Sequence, residues 1–351
     1  MKEYVPSPTI EDIAKELGIS VGKVMKADSG ENPYVPDFTL SGKFKNPAAC
    51  YYPDPSCKKL REKLSKYMSV SGDRIVCGNG SDELIDLLIR IFISKGDEII
   101  VCPPTFSMYG FYGILAGAAV KEAVRDKESL KIDAGKISEK ISEKTKMIFI
   151  DSPGNPTSAL ADQDEIEMLL KRKVIVTVDE AYFEYCGKTV LPLIQKYPNL
   201  VILRTFSKWA GLAGLRIGYA VGDKQLIETV NSIRPPYNVN SFAQKAACTV
   251  LDNRQIYLDK LKKIISRREK SVKLLSAFPD LYVYPTEGAY ILISPKSDAK
   301  KLQSFLRKEG ILLKLINSSF LKNTLRMNLL GKKELQRIIS ALGRYYGKKI
   351  V

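Results

Sequence analysis

Between residues 74 and 222 the chain alternates short apolar runs with longer amphipathic ones. The apolar runs are RIVCG (74–78), EIIVCPP (98–104), AAVKEAV (118–124), TKMIFIDSP (145–153), KVIVTVDEAY (173–182), NLVILRTFS (199–207) and RIGYAVG (216–222). Several are continuously apolar, without the alternation of a strand that shows one face to water. That pattern predicts strands buried on both faces of a mostly parallel sheet. Helical periodicity fits SDELIDLLIRIF (81–92), which opens on a Ser81/Asp82 cap signal, and DEIEMLLKR (164–172). Further on, Ile256, Leu261, Ile264, Ile265, Val272 and Leu275 lie near one stripe and predict a single long helix over 254–277. LYVYPTEGAYILI, a helix around LQSFLRKEG, ILLKLI, TLRMNLL and a final helix from Lys332 complete an α+β tail. The expected fold class is therefore α/β. An N-terminal arm (1–36) precedes a large domain with a mostly parallel central sheet (37–240) and a smaller α+β domain (241–351).

Composition narrows the chemistry. No apolar run approaches the ~18 residues of a membrane span, and MKEYVPSPTIEDIAKELG lacks the apolar core of a secretory signal. The expectation is a cytoplasmic protein without a membrane partner. The six cysteines form no CxxC pair and read as reduced, mostly buried thiols. Histidine is absent, which excludes Ser-His-Asp and Cys-His nucleophile systems and any His-ligated metal, and no metal is expected. A general base must then be Lys, Cys, Tyr or a carboxylate. The formal charge of +16 suits nucleic acid, anionic small molecules or plain solubility, but the lysines are scattered and no long basic run appears. IEDIAKELGISVGKV (10–24) imitates a helix-turn-helix, the basis of a remote alternative as a DNA-binding regulator. DSGENPYVP (28–36) would break its second helix and no third helix follows, so a short helical arm is expected and no nucleic-acid partner.

The chemistry gathers where strands end. GNGSDE (78–83) follows a strand and opens a helix, so the amides of Ser81 and Asp82 offer a phosphate seat, although an ordinary helix start reads the same way. In CPPTFSMY (102–109), Phe106 is either core or a stacker on a flat ring at the carboxyl edge of the sheet. In DSPGNPTS (151–158), Asn155 is a turn residue or an amide donor aimed at that edge. VIVTVDEAYFEY (174–185) places Asp179 at a strand end, where a carboxylate is costly without a cation, and Tyr182 follows three residues on. TFSKWAGLAGLR (205–216) supplies Lys208, an amine able to form a Schiff base, with Thr205, Ser207 and the guanidinium of Arg216, which suits a phosphate.

In this order the motifs resemble those of the fold-type I pyridoxal-phosphate aminotransferases. ENPYVP (31–36), YYPDP (51–55) and LRMN (325–328) narrow the resemblance to the histidinol-phosphate aminotransferases. It implies pyridoxal 5'-phosphate on Lys208, with Asp179 at the ring nitrogen, Tyr182 and Asn155 at the ring oxygen and Phe106 over the ring. Ser81, Asp82, Thr205, Ser207 and Arg216 would take the phosphate, joined by Tyr52 from the partner of a homodimer. Tyr34, Asn155, Lys314 and Arg326 would face the substrate. The implied reaction exchanges the amino group of histidinol phosphate with 2-oxoglutarate, in histidine biosynthesis. The alternatives are an aromatic or other amino-acid aminotransferase and threonine-phosphate decarboxylase. The chain departs from the family pattern at Gly30, at PGNPTS and at Lys314, which stands where the family has an arginine.

Overall fold

The computed structural model describes residues 8–34 and 50–348. Near its start, Thr9 and Asp12 form a reciprocal capping box that opens the helix Ile10–Leu17. The segment proposed as a second helix is only the 3-10 turn Val21–Lys23. It leads into strand β1 (Met25–Lys26), which pairs in parallel with a strand near residue 311. A helix-turn-helix is thus not formed: the chain needed for a recognition helix extends into a strand.

The apolar runs become β2 (Ile75–Gly78), β3 (Glu98–Val101), β4 (Ala119–Glu122), β5 (Thr145–Asp151), β6 (Ile175–Asp179), β7 (Leu200–Thr205) and β8 (Gly218–Gly222). They form one seven-stranded sheet in the order β2-β8-β7-β6-β5-β3-β4. β8 runs antiparallel to both neighbours, and the other pairings are parallel. Every residue of β7 and β8 is buried, as expected for strands covered on both faces. The helix Gly80–Phe92 inserts Leu84, Leu87 and Leu88 against Met147, Phe149, Val201 and Leu203. It starts on Asn79 without the cap expected from Ser81 and Asp82. Instead the Glu83 carboxylate accepts the Asn79 N–H at 2.6 Å.

The chain divides into two compact units, one formed by Asn32–Leu261 and the other by the residues up to Glu31 with those from Lys262 onward. In the second unit, β9 (Leu281–Val283), β10 (Tyr290–Pro295), β11 (Ile311–Leu312), β12 (Lys314–Ile316) and β13 (Thr324–Asn328) follow one another. Four of them make an antiparallel sheet ordered β12-β13-β10-β9, while β11 pairs with β1. The helices Ala299–Lys308 and Lys332–Tyr346 close the tail. The long helix expected over 254–277 is broken into Arg254–Ile265 and Arg268–Ser276. At the break the Arg267 N–H turns back to Ile264 O, and Ser266 Oγ donates to Lys263 O. A serine hydroxyl that bonds the preceding turn competes with the helical ladder.

Candidate active site

Parallel strands bring their carboxyl ends to one edge, and register decides which residues meet there. Asp151, the last residue of β5, is the direct partner of Asp179, the last of β6. Thr205 at the end of β7 pairs with Gly218 at the start of β8, which pairs with Gly78 at the end of β2. Because β8 is reversed, its beginning lies on this edge, and Arg216 arrives with it. The helix that opens at Gly80 and carries Ser81, and the loops that carry Phe106, Asn155, Tyr182 and Lys208, all leave from the same side.

Asp179 is 6% exposed. Tyr109 OH donates to its Oδ2 at 2.7 Å, and the Ala181 N–H to its Oδ1 at 3.0 Å. Burial nevertheless pushes its carboxyl up to about 7, against the Tyr109 and Ala181 hydrogen bonds that favour the charged form. Tyr109 is wholly buried and its ring stacks on Phe149 at 4.9 Å. Phe106 is half-buried and meets Tyr109 edge-on at 5.5 Å. Sequence spacing alone does not single out Tyr109. Its signal is position: it lies three residues after Phe106, in the first turn of the helix Met108–Leu115.

Lys208 is half-buried, and its Nζ lies 5.7 Å from the centre of the Tyr182 ring. Beside it Trp209 is buried, and its carbonyl accepts the Asn32 side-chain amide at 3.0 Å. Asn32 Oδ1 in turn accepts the Tyr34 N–H at 3.0 Å. Asn32, a second residue that the sequence does not single out, thus ties Tyr34 to the segment that carries Lys208.

At the edge shared by β2, β7 and β8, Thr205 Oγ1 donates to Ser207 Oγ at 3.0 Å, and Arg216 Nη1 reaches Ser207 Oγ at 3.4 Å. Arg216 Nη2 pairs with Asp82 Oδ2 at 2.8 Å. Gly80 has φ +80°, and a Cβ there would lie 2.6 Å from Arg216 Nη2. A Cβ on Gly218 would lie 2.6 Å from the Ser81 nitrogen. Two glycines thus let a guanidinium and a helix N-terminus approach the same spot, a cradle suited to a phosphate. Asp82 sits in it as the partner of Arg216, so only its backbone amide is fit to meet an anion.

Tyr52, Lys314 and Arg326 complete the predicted set. Tyr52 is exposed and stacks on Tyr237 at 4.5 Å. In the second unit Lys314 and Arg326 are direct cross-strand partners, so their side chains share one face of its sheet. Lys314 is exposed. Arg326 is buried, lies 4.2 Å over the Tyr290 ring and donates to Asp28 O. Asn328, also on β13, accepts the Gly30 N–H at 3.1 Å and donates to Glu31 O at 3.1 Å.

A buried carboxylate without a cationic partner among the described residues, a half-buried amine, and a phosphate cradle built on two glycines fit pyridoxal phosphate, whose ring nitrogen, aldehyde and phosphate call for those three groups.

Known proteins agree with this reading. Residues 32–342 match the family described as "Aminotransferase class I and II". The histidinol-phosphate aminotransferase of Roseiflexus castenholzii is 37% identical over 345 residues, spanning 95% of this chain and 92% of that protein. The protein of the same name from Dehalococcoides mccartyi strain CBDB1 is 39% identical over 352 residues, 98% of either chain. The fold matches that of histidinol-phosphate aminotransferase from Sinorhizobium meliloti, crystallised in complex with pyridoxal-5'-phosphate. That match has a TM-score of 0.87 and 19% identity, covering 97% of this chain and 95% of that one. No helix among the described residues is long and apolar enough to cross a membrane. The chain belongs to the class I and II aminotransferases: it is a pyridoxal-phosphate-dependent transaminase of fold type I.

Proposed function

We propose that the protein transfers the amino group of histidinol phosphate to 2-oxoglutarate, as a cytoplasmic homodimer serving histidine biosynthesis. The observation that carries this reading is the presence at one sheet edge of Asp179, buried and anchored by Tyr109, and of Lys208 beside Tyr182, in a chain 37–39% identical to enzymes of that name.

Pyridoxal phosphate supplies, when bound, an aldehyde that condenses with amines and a ring that takes up the electron pair released at the substrate Cα. Lys208 would hold the aldehyde, and its amine, when free, would serve as the base and acid that moves a proton at the substrate Cα. Asp179 keeps the ring nitrogen protonated, and Tyr109 and the Ala181 amide fix its two oxygens. Tyr182 and Asn155 orient the ring oxygen, and Phe106 covers the ring. Ser81, Asp82 through its backbone, Thr205, Ser207 and Arg216 bind the phosphate, with Tyr52 contributed by the second subunit. Arg326, Lys314 and Tyr34 are the residues assigned to the substrates, the two cations to their anionic groups. The cross-strand pairing of Lys314 and Arg326 supports this, since two cations on one face suit either a phosphate monoester or a dicarboxylate.

A half-reaction panel tests the proposal. The loaded enzyme is mixed with histidinol phosphate, aromatic amino acids and phosphothreonine, and the change in the cofactor absorbance is followed. Fast conversion with histidinol phosphate, reversed by 2-oxoglutarate, is expected. Carbon dioxide release from phosphothreonine without amino transfer would assign decarboxylation instead.

A further inference from the structure

The sheet edge carries a second buried acid that the reaction does not use. Asp151 is 3% exposed, and both its oxygens are committed. Oδ1 accepts Thr105 Oγ1 at 2.8 Å and the Arg125 guanidinium. Oδ2 accepts the backbone N–H of Asn155 at 2.7 Å. Thr105 immediately precedes Phe106. One carboxylate therefore joins the loop of the ring-covering aromatic to the loop of the amide donor.

We propose that Asp151, held by Arg125, is a positioning residue that locks the Phe106 and Asn155 loops in the arrangement the cofactor requires. The inference rests on the transaminase reading above and adds two residues to it.

The surroundings of Arg125 support this role over plain stabilisation. Its side chain is wholly buried. Nε donates to Cys102 O at 3.0 Å, Nη1 to Leu130 O at 3.2 Å and Nη2 to Asp151 O at 3.0 Å. Arg125 thus fastens the exit of β3, which leads to Phe106, to the exit of β5, which leads to Asn155. A buried ion pair adds little net stability over an apolar replacement, so the proposal assigns this network to fixing one arrangement of the two loops. The loop leaves no slack: a Cβ on Gly154 would lie 2.1 Å from Thr157 Oγ1 and 3.5 Å from Arg125 Nη2. A displacement of either loop of about 1 Å is enough to cost on the order of a hundredfold in rate.

The test uses the full chain and three variants. Affinity for pyridoxal phosphate is read from the fluorescence of Trp209, the single tryptophan, alongside kcat, KM for 2-oxoglutarate and Tm. Asp151→Asn keeps the shape and removes the charge. Thr105→Val removes only the hydroxyl, and Thr105→Ser retains it. Expected for Asp151→Asn is a roughly tenfold to hundredfold fall in cofactor affinity and kcat, with KM little changed. Thr105→Val should move both in the same direction by less, and Thr105→Ser should restore them while Tm stays that of wild type. Should Asp151→Asn fail to fold, the two Thr105 variants decide: equal affinity and kcat in both overturn the proposal. Losses that track Tm alone also overturn it. A wild-type chain that binds no pyridoxal phosphate overturns both this inference and the transaminase reading. A wild type that binds it, with variants that match it, overturns the positioning role alone.

Discussion

At the residue scale, the site depends on an acid held where an acid is unfavourable. Burial raises the Asp179 carboxyl, and the ring-nitrogen cation proposed beside it reverses that pressure. Tyr109 works in the same direction, because its hydroxyl bonds the charged form. Tyr109→Phe is expected to lower kcat by roughly tenfold or more, since a hydrogen bond to a charged group contributes about 1.5–3 kcal/mol. Steady-state kinetics with a circular-dichroism check measures this, and a wild-type kcat would remove Tyr109 from the machinery. Lys208→Ala is expected to abolish turnover and leave the cofactor removable by dialysis, which absorbance after dialysis reads directly. Lys208, Asp179 and Phe106 stand out in the sequence because each lies at the end of a strand or a short distance after it. Tyr109 does not, because its hydroxyl gains meaning only from a carboxylate 70 positions away.

At the scale of elements, glycines let β8 and the helix Gly80–Phe92 approach. A Cβ at Gly218 would strike the Ser81 nitrogen at 2.6 Å and Gly80 carbonyl carbon at 2.8 Å, both backbone atoms that cannot step aside. Gly218→Ala is therefore expected to cost about 1–3 kcal/mol in stability, as overpacking does, and to weaken cofactor binding further by moving the helix N-terminus off the phosphate. Denaturant unfolding and a pyridoxal-phosphate titration check both parts. Strand existence in the large unit was legible because residues buried on both faces must be apolar throughout. The helix break at Ser266 was not. An apolar stripe runs on either side of SRREKS (266–271), and no residue within it reports how tightly the backbone turns. The hydrogen bonds of Ser266 and Arg267 decide that point.

At the scale of the whole molecule, Asp179 couples folding to pH. Its folded value of about 7 lies above its ordinary 3.8, so the folded chain binds that proton more tightly than the unfolded chain. Its stabilising contribution is complete below the ordinary value and is lost as pH rises through about 7. At about 1.4 kcal/mol per unit the loss is bounded near 4 kcal/mol. Without cofactor, the Tm of wild type is expected to fall relative to that of Asp179→Asn between about pH 4 and about pH 7 and to level off above that. Parallel curves would refute the linkage. The assembly has its own test. If Tyr52 serves the partner's site, mixing Lys208→Ala with Tyr52→Ala subunits rebuilds one intact site in each mixed dimer, about a quarter of wild-type activity. No gain over the two parents would place both residues in one subunit's site.

The sequence by itself determined which segments of the large sheet are strands and which of their ends carry a carboxylate, an amine and a guanidinium, while the order of these motifs resembled that of a family that uses pyridoxal phosphate. These are local properties, written in apolar runs and in short distances from a strand to its loop. Tertiary structure alone decided that β8 is reversed, so that Arg216 enters on the same edge as Lys208, and that the Lys314 and Arg326 strands pair in register. It also decided that Tyr109 and Asp151 hold their partners across loops. Such contacts depend on register and on the meeting of distant segments, and no pattern within a single segment encodes where a hydroxyl or a carboxylate finds its partner.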